Sequence, residues 1–153
     1  MSEHTGRRYS PLRVYPSKNM PNYMLEFIDF ATEYLGIDRL RGELHIDLKR
    51  KLEDDSFGLC WGDKQEAEIH VASRQFDEPV SRENKLKTLA HELTHAYQYL
   101  TGELVAGDVG DFMSTWQGDI IPFTPETDND TPWEVEAHDY EERIYKAWID
   151  RKV

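Results

Sequence analysis

Residues 91–95 read His-Glu-Leu-Thr-His, two imidazoles four positions apart with a carboxylate beside the first. On a helix, positions i and i+4 lie one above the other on the same face, roughly 6 Å apart at Cβ. Both rings can then reach one Zn²⁺ at about 2.0–2.1 Å. Glu92 projects to the side of such a metal, where a carboxylate can take a proton from a water held there. The chemistry suggested is metal-assisted hydrolysis, with His91 and His95 as ligands and Glu92 as proton acceptor.

Catalytic zinc usually keeps three protein ligands and one open position, so a third donor is needed. His4 lies in a polar leading segment, and His45 and His70 lie in strand-like patterns where a cross-strand surface role accounts for them. The segment Pro132-Trp-Glu-Val-Glu-Ala-His-Asp139 instead opens a helix and offers Glu134, Glu136 and His138. Glu134 and His138 are four apart and share a face, whereas Glu136 is rotated roughly 200° from Glu134 at 100° per residue. Glu134 is the first choice as third ligand, with His138 beside it; His138 itself and Glu136 are the alternatives. Each also has an ordinary role: a helix-capping acid for Glu134, a solvated position for Glu136, a packed imidazole for His138.

In these two segments the chain resembles the gluzincin-type zinc metallopeptidases. Leu89-Ala-His-Glu-Leu-Thr-His-Ala-Tyr-Gln98 followed by Pro132-Trp-Glu-Val-Glu-Ala137 is similar to their His-Glu-x-x-His helix and later Glu-x-x-Ala helix. The small bacterial and phage-encoded ImmA/IrrE-like and minimal SprT-like proteins are similar in size and element order. The resemblance covers residues 67–142 and implies a minimal zincin-like domain that hydrolyses peptide bonds in a protein substrate. It maps the ligand Glu onto Glu134. It maps a polar residue, commonly Asp or Asn, onto His138, where this chain departs from the pattern. It further implies that Glu92 returns a proton to the leaving amine, that Tyr140, His138 or Tyr97 stabilises the oxyanion, and that an edge strand before the metal helix lines the cleft. Ala67–Ser73 occupies that place in the chain. The other reading is a non-catalytic, zinc-stabilised module that binds a partner or sits in a virion. An intact Glu92 and a single cysteine favour the enzyme, since structural zinc commonly takes four protein ligands, often cysteines.

The metal helix has clear signals. Leu86, Leu89, Ala90, Leu93, Ala96, Tyr97 and Leu100 recur at spacings of three and four. Ser81 suits the N-cap and Gly102 the stop, with no proline between them. Pro21 opens a helix to about Tyr34 ended by Gly36, with Met24, Phe27, Ile28, Ala31 and Leu35 inward. Glu43–Leu48, Phe57–Gly62 and Ala67–Ser73 read as strands, and Asp111–Phe123 as a hairpin or irregular strand pair. Thr131, Pro132 and Glu134 form a Thr-x-x-Glu capping signal for a last helix to about Asp150, with Val135, His138, Tyr145 and Trp148 inward. The expectation is an α+β domain over residues 21–153, in the order α-βββ-α-(ββ)-α, with a small mixed sheet packed on the metal helix. Residues 1–20, with prolines at 11 and 16, read as an extended arm.

The chain has 153 residues and a net charge of −12, which disfavours a phosphate backbone as partner. Arg39, Arg41, Lys49, Arg50 and Lys51 are interrupted by Glu43 and Asp47 and read as a solvated strand edge. The one cysteine, Cys60, lies between Leu59 and Trp61 and reads as a buried structural thiol in a reducing compartment. With no apolar leader and no membrane-length apolar run, the expected location is the cytoplasm of a bacterium or phage-infected host.

Overall fold

Alternating apolar and polar residues build a four-stranded sheet in this computed structural model, which describes residues 11–107 and 113–151. The strands are β1 (Leu12–Pro16), β2 (Gly42–Lys49), β3 (Gly58–Gly62) and β4 (Glu66–Ala72), in the spatial order β1-β2-β4-β3. β1, β2 and β4 run parallel, and β3 is antiparallel to β4. The sheet is therefore mixed, and the domain is α+β.

One face of the sheet is apolar. Leu44, Ile46, Ala67, Ile69 and Val71 are buried, each large side chain contributing roughly 1.5–3 kcal/mol through removal from water. They lie under α1 (Asn22–Leu35) and α2 (Arg82–Thr101) in one continuous core. After β4 come the two-residue strands β5 (Arg74–Gln75) and β6 (Glu78–Pro79), paired as a small hairpin that leads into α2. The helix α3 (Pro132–Asp150) packs on α2 and sends Trp148 between Phe27 and Phe30 of α1, edge-on to both. A second sheet, β7 (Leu104–Ala106), β8 (Met113–Trp116) and β9 (Asp119–Pro122), is fully antiparallel, and the β8–β9 turn is made by Gln117 and Gly118 at positive φ. Among the described residues no helix is long and apolar enough to cross a membrane.

Several expectations are corrected here. Leu12–Pro16, read as part of the arm, is a strand with Leu12 buried and five residues paired to β2. Pro11 precedes the strand and Pro16 ends it, on the sheet's outer edge where proline costs no ladder hydrogen bond. Residues 1–10 of the arm, and Asp111 and Phe112 of the expected hairpin, lie outside the described residues. Ala67–Ser73 is not the cleft edge: β4 is paired on both sides, by β2 and β3. Among the described residues, the strand with one unpaired edge beside α2 is β3. β7 is a further strand that the sequence reading did not include.

The helix signals divide in the same way. Ser81 Oγ accepts from Asn84 N at 3.1 Å and Gly102 ends α2 at φ 80°, as expected. At α3, Thr131 makes no side-chain cap; its hydroxyl donates to Asp128 O instead. The capping box is thus unformed, and Glu134 is free for other work. Trp133, Ala137, Ile144 and Trp148 are the buried residues of α3, whereas Val135, expected inward, is 56% exposed.

Candidate metal centre

α2 presents His91 and His95 with ring centroids 4.9 Å apart and planes at 79°. The first turn of α3 brings Glu134 against both. Glu134 Oε1 lies 3.1 Å from His91 Nε2, and Glu134 Oε2 lies 3.1 Å from His95 Nε2. One donor atom from each of the three residues therefore falls within 4.8 Å of the others. Two imidazole nitrogens and a carboxylate oxygen, pointing at one place, fit a borderline divalent ion such as Zn²⁺.

The rings are held from behind. His91 Nδ1 is 2.8 Å from Glu141 Oε1, and His95 Nδ1 is 2.8 Å from Gln98 Oε1. Gln98 is fully buried, and its amide nitrogen donates to Trp133 O and to Glu136 Oε1, both at 3.0 Å. Those two acceptors turn its oxygen toward His95. A proton on each Nδ1 then satisfies Glu141 and Gln98 and leaves each Nε2 to face the ion, the arrangement by which partners behind a histidine fix its tautomer.

Without an ion, protons take the ion's place. Burial alone lowers the His91 imidazole, but its hydrogen bonds to Glu134 and Glu141, with Glu92 nearby, outweigh this and lift it to about 10. Burial likewise opposes the charge on His95, and Glu134 and Glu92 raise it overall. Burial favours neutral Glu134, yet its bonds to His91 and His95 hold it well below the usual carboxylate range. His91 therefore stabilises the metal-free fold fully below its unfolded value, about 6.5, and loses that contribution as pH rises through about 10. Ligation requires neutral rings, so zinc binding near pH 7 should release protons, and apparent affinity should rise with pH. Calorimetric titration in buffers of different ionisation enthalpy measures this release; none would contradict the protonated state described.

Glu92 is 7% exposed and belongs to none of the ligand trios. Burial raises its carboxyl above the ordinary value, the neighbouring histidines offsetting part of that rise. β3 passes close over it because residue 58 is glycine: a Cβ there would meet Thr88 Cγ2 at 2.5 Å and Glu92 Cγ at 3.2 Å. Glu92 lines two cavities that meet at the centre. One, about 280 Å³, includes Phe57, Lys87, Thr88 and Glu141; the other, about 760 Å³, includes Cys60, Tyr99, Met113, Phe123 and Trp133. Together they form a cleft with the trio at its middle.

Of the remaining candidates, His138 belongs to a second trio, with His91 and Glu141, whose ligand atoms also lie within 4.8 Å of one another. Glu136 is bound to Gln98, behind His95, and is in neither trio. His138 stands at the rim, its side chain 55% exposed, with Nδ1 3.2 Å from Glu141 Oε1 and its ring 4.6 Å from that of His91. Tyr140 turns away: it packs edge-on against Tyr34 of α1 at 6.5 Å and lines neither cavity. Contrary to the expectation that it serves the cleft, its side chain faces α1 rather than the His91–His95 side of α2. Tyr97 is also absent from the cleft walls; Tyr99 and His138 are on them. Cys60 is half-buried rather than fully buried as expected; it lines the larger cavity, and burial pushes its thiol up. His45 and His70 lie on the sheet's outer face beside Glu43 and Glu68.

Sequence reasoning did not find Glu141, Gln98 or Gly58. Glu141 lies seven residues, about two helical turns, after Glu134, and Gln98 lies one turn after His95; those spacings were the available signal. Comparisons of the chain with known families, with curated proteins and with solved structures find no match.

Proposed function

We propose that the protein is a zinc-dependent metallopeptidase. The observation that carries this reading is the convergence of His91 Nε2, His95 Nε2 and the Glu134 carboxylate beside a buried, non-ligating Glu92 where two cavities meet. Zinc held there would polarise a carbonyl and bring the pKa of a coordinated water near 7.

The chain's own residues supply the rest. Glu92 is 7% exposed, lies under the close approach of Gly58 and lines both cavities. Its raised pKa suits a group that takes a proton and hands it to a leaving amine. Tyr99 and His138, on the cleft walls, are the side chains available to donate to developing negative charge. The free edge of β3 offers backbone groups to an extended polypeptide, which favours a protein substrate over a small one. A chain of charge −12 is poorly suited to nucleic acid.

The test is digestion of a broad peptide library by zinc-loaded protein, read by mass spectrometry. Cleavage is expected, lost on chelation and restored by zinc. A zinc-loaded protein that cleaves nothing in such a library would leave a non-catalytic zinc module as the better reading.

A further inference from the structure

The outer face of the sheet carries a second set of metal-ligating side chains. Three outward positions of β2 are Glu43, His45 and Asp47; three of β4 are Glu66, Glu68 and His70. Parallel pairing sets them abreast as Glu43 with Glu66, His45 with Glu68 and Asp47 with His70. Every one of these six positions is a carboxylate or an imidazole. Strands ordinarily avoid like charges abreast, because the pair is destabilising, yet Glu43 and Glu66 are such a pair. The nearby cations are Arg13, 3.1 Å from Glu43, and Lys49, 3.8 Å from Asp47.

Within this row two trios bring ligand atoms within 4.8 Å of one another, and the one at Asp47, Glu68 and His70 is the better held. His70 Nε2 is 2.8 Å from Glu68 Oε2 and 3.7 Å from Asp47 Oδ2, and one donor atom from each lies within 4.8 Å of the others. The proportions are the reverse of those at the cleft centre, where one carboxylate faces two imidazole Nε2 atoms. His70 is not a loose surface group: its side chain is 19% exposed, and Trp61 of β3 packs edge-on against the ring at 4.9 Å. The neighbouring trio of Glu43, His45 and Glu66 is less suited, because Arg13 already holds Glu43 and Glu66 is exposed.

We propose that Asp47, Glu68 and His70 form a second divalent-metal site, of two carboxylates and one imidazole, which ties β2 to β4 on the open face of the sheet. One nitrogen and two oxygens suit Zn²⁺, Mn²⁺ or Co²⁺, with water completing the shell. The site stands apart from the cleft and does not depend on peptidase activity.

The experiment is a zinc titration of the full chain by calorimetry, with elemental analysis after gel filtration and circular dichroism as the check on folding. Wild type should take up a second zinc equivalent beyond the cleft ion. His70→Ala should lose that equivalent and keep the first; Asp47→Asn, the milder change, should weaken it by about tenfold or more. His91→Ala should do the reverse, losing the cleft ion and keeping the second. His45→Ala, outside the trio, should change neither. The proposal is overturned if wild type binds a single equivalent, if the second survives both His70→Ala and Asp47→Asn, or if His45→Ala removes it equally, which would mean diffuse attraction of cations to an acidic face. Failure of the cleft reading looks different: His91→Ala would then lose no metal.

Discussion

Replacing Glu92 with glutamine is expected to leave the zinc content unchanged and to lower peptide hydrolysis by about 10²–10⁴-fold, the usual contribution of a positioned acid–base group. Glutamine matches the side chain in size, so the close approach of Gly58 and Thr88 is preserved. It removes the carboxylate that would take the proton but none of the trio that would hold the ion. Paired measurements of metal content and cleavage rate check this. Retained cleavage would move the proton acceptor elsewhere in the cleft, and loss of zinc would make Glu92 a ligand.

The second large effect concerns the third ligand. Glu134→Gln should weaken zinc binding by more than the about 10–100-fold that loss of a partner behind a ligand costs. The substitution removes the charge that holds both imidazoles at 3.1 Å. Thr131 makes no side-chain cap and Glu134 points into the trio, so the loss is not confounded by a broken capping box. His138→Ala should weaken binding far less, since its ring stands at the rim and touches the centre only through Glu141 and the His91 face. Competition with a zinc-binding dye measures both. The opposite ranking would describe a three-histidine centre.

The parts of this arrangement legible in the sequence are those set by local periodicity. The apolar stripe of α2 and its Ser81 cap mark a helix, and four-residue spacing on it places His91 and His95 together. Glu134 is legible as a candidate ligand only through the second motif, because its distance from α2 is set by how α3 packs. Gln98 and Glu141 are harder still, since a buried amide or a second glutamate gains meaning only from the atom it faces. Strand alternation has its own blind spot. In Ala67–Ala72 it reports which face is buried, and Ala67, Ile69 and Val71 are inward. It carries no information on whether an edge is free, so β4 reads the same at the centre of a sheet as at its border. The order β1-β2-β4-β3 follows from long-range pairing, which also recruited Leu12–Pro16 despite its flanking prolines. Tyr140 shows the matching limit for helices, where a position on α3 fixes the face but not which neighbour meets it.

One ion is expected among His91, His95 and Glu134. An anomalous difference map of crystals of the zinc-loaded protein, recorded at the zinc edge, tests it most directly. A peak is required about 2.0–2.2 Å from His91 Nε2, His95 Nε2 and a Glu134 carboxylate oxygen, with Glu92 outside bonding distance. No peak there, or a peak ligated by His138 or Glu136 in place of Glu134, would contradict it.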